Sequence, residues 1–231
     1  MKGKKIILVS LFLVLILVLI LLRKSLIEAY YTYKFDLNNN FKIGKIQGNV
    51  EETVEGEVTN VTLMPNNTIN KKVELSNSGD FESYIRAQVY VPIARLKYVN
   101  TQDESIVTPN EDIEIVSYEI NGQDLERTGY WEEVQDERFT DIVQDTNGNK
   151  YKVYTYKYME KDIETPIQEK TKISVSLFDE IKTINFLDDD SSENFKIIVK
   201  AIAIQAQNGK SSETMWNYYV NQNGSGVGEV K

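Results

Sequence analysis

Residues 71–91 read KKVELSNSGDFESYIRAQVYV. Val73 and Leu75 alternate with Lys72 and Glu74. Beyond Asn77-Ser78-Gly79-Asp80, Ile85, Ala87, Val89 and Val91 alternate with Tyr84, Arg86, Gln88 and Tyr90. Successive side chains of a strand point to opposite faces, so period two predicts two strands, each with one apolar face. The Asn-Ser-Gly-Asp cluster between them is turn chemistry.

The same pattern recurs outward from this stretch. Residues 151–158 place Tyr154, Tyr156 and Tyr158 on one face and Val153 on the other. Residues 173–178 form another alternating run. Residues 195–205, FKIIVKAIAIQ, are the most apolar segment and predict a central strand buried on both faces. In residues 112–121 the phase slips between Ile115 and Tyr118, which predicts a bulge. Further turn signals are Pro65-Asn66-Asn67, Asn121-Gly122 and the run Asp145-Thr146-Asn147-Gly148-Asn149. Short strands separated by such turns predict an all-β fold, an antiparallel β-sandwich or jelly roll. One minor helix is expected near the end. Ser211 or Ser212 caps it, Glu213 lies in its first turn, and Met215, Trp216 and Tyr219 share a face. Residues 221–231 are polar and glycine-rich and read as a flexible tail. No internal repeat or interdomain linker is visible, so 49–220 reads as one domain.

The N-terminal part has a different character. An apolar run at 6–22 lies between Lys2, Lys4 and Lys5 on one side and Arg23 and Lys24 on the other. It reads as a hydrophobic signal helix. The sequence leaves open cleavage near Ala29 and retention of the run as a membrane anchor, so 1–29 is a signal peptide or membrane segment. Strict alternation follows: Tyr31, Tyr33, Phe35, Leu37, then Phe41 and Ile43 beyond three asparagines. Residues 30–48 therefore carry a strand. Three uses are open to it: a donor strand for a neighbouring molecule, the first strand of its own sheet, or an extended spacer behind an anchor.

Composition narrows the function classes. The 231 residues include no cysteine and no histidine, and the net charge is −9. The first 29 carry five basic residues and one acidic, which leaves 21 basic against 34 acidic, a net of −13. Such a surface disfavours nucleic acid and anionic membrane as partners, so membrane contact is expected only through 6–22. Without cysteine, stability rests on packing or assembly rather than on disulfides. A zinc enzyme needs ligands such as His-Glu-x-x-His, and imidazole is missing from any triad. We therefore expect a non-enzymatic protein with no cofactor and no metal. The acidic stretch Asp188-Asp189-Asp190-Ser191-Ser192-Glu193 offers oxygen ligands for calcium but lacks EF-hand spacing, and it reads better as a solvated loop. Glu51, Glu52, Glu55 and Glu57 read as exposed positions on an early strand. Tyr151, Tyr154, Tyr156 and Tyr158 suit either a sticky surface or cross-strand packing, and Trp131 and Trp216 suit the core or a sheet edge. Lys–Asn or Lys–Asp isopeptide links between copies need a buried carboxylate beside the pair, which one sequence does not locate.

Four stretches in order resemble the TasA/camelysin family of exported matrix proteins of Gram-positive bacteria, including its clostridial BsaA-type members. They are Ala29-Tyr30-Tyr31-Thr32, the NFKIGKI of 40–46, the KKVELSNSGDFESYIR of 71–86, and the KAIAIQAQNGKSSETMW of 200–216. The resemblance implies a jelly-roll domain exported through an alternate signal peptidase, secreted or held at the cell surface. It implies pilin-like fibres in a biofilm extracellular matrix, built by donor-strand complementation. Tyr31, Tyr33, Phe35, Leu37, Phe41 and Ile43 would be the inserting side chains, with copies of the chain and other matrix proteins as partners. The alternative is a monomeric, membrane-anchored cell-surface binding domain.

Overall fold

A computed structural model describes residues 46–54, 63–120, 130–187 and 195–228. They form an all-β sandwich with one short helix, as the turn spacing predicts. The first sheet has five strands. Its main order is β1 (Gly48–Val54), β2 (Thr68–Asn77), β13 (Phe178–Thr183), β7 (Val116–Tyr118), and β12 (Thr171–Lys172) also pairs with β2. The second has seven, in the main order β11 (Ile163–Glu164), β10 (Lys150–Glu160), β3 (Ser83–Ala94), β14 (Ile198–Gln205). On it β6 (Ile113–Glu114) pairs with β3, while β8 (Trp131–Glu133) and β9 (Asp141–Gln144) pair with β10. A small ladder joins β4 (Tyr98–Val99) to β5 (Ile106–Val107). Every named pairing in the two main sheets is antiparallel.

The two runs of 71–91 are strands, β2 and β3, but they lie in different sheets. Residues 77–82 therefore form an arch across the sandwich rather than a hairpin. Asn77, fully buried, holds the arch: its Nδ2 donates to the carbonyls of Phe81 and Ile167, each at 2.8 Å, and its Oδ1 accepts from Gly79 N at 2.9 Å. Apolar side chains from both sheets meet between them, including Val73, Leu75, Ile85, Ala87, Val89, Val91, Leu177 and Phe178.

The phase slip at 115 marks a change of sheet, not a bulge within one. Ile115 N donates to Pro92 O at 3.0 Å on the β3 side, and Ile115 O accepts from Ile184 N at 3.0 Å on the β13 side. The strand expected over 173–178 also changes form. Only Phe178 belongs to a strand, as the first residue of β13, while Ile173 N and Leu177 N donate to the β2 carbonyls of Leu75 and Val73. The chain between them arches off the sheet, and Val175 O accepts from the Trp131 indole at 3.2 Å.

The outer face of the seven-stranded sheet is covered by a third layer. Helix α1 (Ser212–Asn223) starts at Ser211, whose hydroxyl accepts from Thr214 N, and ends at Gly224 in the left-handed region. Its Met215, Trp216 and Val220 pack with Tyr84, Ile202 and Ile204. The flexible tail expected at 221–231 needs correction over its first part. The helix runs to Asn223, and Gly226–Gly228 lie against the sheet, bonded to Arg138, Gln88 and Tyr90. The expected domain of 49–220 thus extends, among the described residues, from β1 at Gly48 to Gly228.

Candidate assembly edge

The most apolar strand is β14, and its position differs from the expected one. It pairs residue for residue with β3, from Ile198↔Tyr90 to Gln205↔Ser83. Among the described residues no strand pairs with its other side. The strand buried on both faces at the centre is β3, between β10 and β14. β14 is therefore an edge strand eight residues long. Its apolar content reflects cover on its faces. Ile202 and Ile204 lie under the helix, and Val199, Ala201 and Ala203 face the core. Its open flank is backbone, a row of N–H and C=O groups.

The start of β1 is packed against this strand. A Cβ placed on Gly48 would stand 2.8 Å from the Ala201 Cβ and 3.3 Å from Ile85 Cγ2. Only glycine above alanine lets the two sheets approach so closely. Gln47 is fixed by Ser78, whose N–H donates to Gln47 O at 2.9 Å. Gln47 and Gly48 thus lie beside β14.

The outer flank of β1 also lacks a partner strand among the described residues, but charge surrounds it. Glu51 pairs with Lys172 at 2.8 Å, Glu52 with Lys71 at 2.9 Å, and Glu74 with both Lys172 and Lys72 at 3.0 Å. The bonds from Lys172, then Lys72, hold the Glu74 carboxyl below the usual glutamate value. Glu51 and Glu52 are exposed, as the sequence predicts.

On the far side of the same sheet the edge is cut into pieces. β9 pairs with β10 over 150–153 and β8 over 156–158, while β11 pairs with β10 over 159–160 on its other side, beyond the end of β3, where Thr165 N donates to Tyr158 O and Ile167 bridges to Ser83. A 3-10 turn (Glu137–Phe139) interrupts the run between β8 and β9. β11 is pinned by Glu164, which receives two bonds of 2.9 Å from Arg86 and one of 2.7 Å from the Trp216 indole. Both charged side chains are only 7 % exposed. The guanidinium lies over the rings of Trp216 and Phe139, at 4.3 and 4.6 Å.

The tyrosines of β10 act as struts. Tyr156 and Tyr158 are buried toward the core, and the Tyr156 and Tyr118 hydroxyls meet at 3.1 Å across the two sheets. Burial pushes Tyr156 up to about 12. Tyr154, half-buried, donates to Glu114, which also pairs with Lys152. Tyr151 is buried on the opposite face. Cross-strand packing accounts for this set, and Trp131 and Trp216 belong to the cores.

Tyr31, Tyr33, Phe35, Leu37, Phe41, Ile43, Ala29 and the apolar run 6–22 lie outside the described residues, as do 188–193. Among the described residues no group of three or more acidic side chains could hold a metal ion, and no helix is long and apolar enough to cross a membrane. The β14 flank escaped sequence reasoning because hydropathy reports covered faces and not missing ladder partners. The adjacency of Gly48 to the alanines of 201 and 203 is a close-approach signal that glycine and alanine composition alone does not pair up. No family model, curated protein or solved structure matches the chain.

Proposed function

We propose that the chain is an exported structural subunit of an extracellular fibre. The segment preceding β1 of one copy adds as a strand to the free β14 flank of the next. The observation that carries this reading is an unbroken edge strand that has no second partner among the described residues and lies beside Gly48, at the start of β1. Adding an extended segment there satisfies the open backbone groups and gives alternate side chains a surface to bury. Tyr31, Tyr33, Phe35, Leu37, Phe41 and Ile43 are the inserting side chains. Each contributes roughly 1.5–3 kcal/mol on burial, so six supply on the order of 10 kcal/mol before ordering costs. A head-to-tail contact that does not close on itself propagates into a filament. Export by a signal peptidase and location in a matrix or on the cell surface belong to the same reading.

Pairs of aspartates test it. Mature protein carrying Phe35→Asp and Leu37→Asp should stay monomeric at concentrations where the parent sediments as polymer. Equal polymerisation of the two would remove the donor-strand assignment.

A further inference from the structure

The segment Ser225–Gly228 joins no strand ladder, yet it is held closely. Gly226 N donates to Arg138 O at 2.9 Å, and Gly226 O accepts from Gln88 Nε2 at 2.7 Å. Gly228 N donates to Gln88 Oε1 at 3.1 Å, and Gly228 O accepts from the Tyr90 hydroxyl at 2.9 Å. All four bonds to the rest of the protein use the segment's backbone. Its one apolar side chain, Val227, packs beside Tyr90, Tyr151 and Val153.

The surface beneath selects glycine. A Cβ at position 226 would lie 2.4 Å from Phe139 Cδ1 and 2.6 Å from the Arg138 carbonyl, a backbone atom that cannot turn aside. At 228 it would lie 3.2 Å from the Tyr90 hydroxyl and 3.3 Å from Gln88 Oε1. A Gly-x-Gly chain, bent at Gly226 and Val227, fits, and a bulkier one does not.

The reading groups are also braced without the segment. Gln88 Nε2 reaches Thr155 Oγ1 at 3.4 Å, and that hydroxyl donates to Phe139 O at 2.7 Å. Tyr90 donates to Gln88 Oε1 at 3.1 Å as well. Arg138 sits in the 3-10 turn capped by Asp136, and its Nη1 bonds Asn217 of the helix at 2.8 Å. Gln88 and Tyr90 are fully buried, so an empty groove would leave a preformed amide and hydroxyl in want of partners. Gly224, at φ +74°, caps the helix, so the segment lies wholly beyond its last turn.

We propose that the outer face of the seven-stranded sheet carries a peptide groove for a Gly-x-Gly segment, read by Gln88, Tyr90 and the Arg138 carbonyl. The chain's own 225–228 fills it in cis, and the same segment of a second copy can take its place. This inference stands apart from the fibre reading, since it uses neither β14 nor the residues before β1.

A synthetic peptide of residues 224–231, GSGVGEVK, tests it by calorimetric titration. Three proteins serve as receptors: the parent chain, the chain ending at Asn223, and the 231-residue Gly226→Ala variant, whose own segment no longer fits. Saturable binding to the latter two, at least tenfold tighter than to the parent, is expected. A peptide with Gly226→Ala should bind them at least tenfold more weakly. If the shortened chain fails to fold, the Gly226→Ala variant still decides. No saturable binding to either altered protein, or equal binding of the two peptides, would overturn the groove.

Discussion

The two flanks of the seven-stranded sheet are built in opposite ways. On one side β10 is bordered by two short pieces, β9 and β8, separated by a 3-10 turn. On the other side β14 runs eight residues without a break. Exposed sheet edges template pairing with other chains, and proteins blunt them with short strands, bends and charge. The β8–β9 flank has the first two, and β1, next to β14, has the third. β14 is neither short nor bent and carries one charged side chain, Lys200. Among the described residues its flank has no partner strand.

The comparison can be broken in three places. The largest effect is expected at β11, which sits between β10 and the end of β3. Glu164→Ala leaves the Arg86 guanidinium buried without its carboxylate and frees the Trp216 indole, at a cost of about 3–5 kcal/mol. Urea unfolding measures it, and a loss below about 1 kcal/mol would mean that β11 is not pinned as described. Next comes the seam at the open flank. Gly48→Ala forces a methyl against Ala201 and should cost about 1–3 kcal/mol. Amide exchange should then quicken in β1 and β14 and stay unchanged in β9. The smallest effect concerns the charges around β1. The carboxyl of Glu74 is held below its ordinary value of 4.5 by Lys172 and Lys72, so their stabilisation is present above that value and lost as pH falls through the depressed one. Lys172→Ala should lower stability at pH 7 only slightly, since the lysine itself is exposed. The gap should close on acidification below pH 4.5. A gap that persists in acid would show that Lys172 acts through packing.

Period two was a sound guide to β2, β3 and β10, because alternation is a local property of the chain. Strand neighbours are not local. Tyr84, Arg86, Gln88 and Tyr90 make β3 look half solvated, yet the helix, Glu164 and the segment 225–228 cover that face, and β3 is central. Residues 195–205 look central because both faces are apolar, yet among the described residues one flank has no ladder. The slip at Ile115 was legible, but its cause, a strand that leaves one sheet for the other, depends on partners at Pro92 and Ile184. GSGVG reads as disorder by composition. Its glycines at 226 and 228 instead permit close approach to a groove formed by distant residues. The inserting side chains proposed for 30–43 were legible as a pattern, and the flank they are proposed to meet was not.

The most direct measurement is light-scattering mass across a concentration series, with negative-stain microscopy, on Tyr30–Lys231 and on Gly44–Lys231. The account predicts growing oligomers and filaments from the longer protein and a folded monomer from the shorter one. Folded monomers from both, or filaments from both, would contradict the assignment of residues 30–43 as the strand that completes β14.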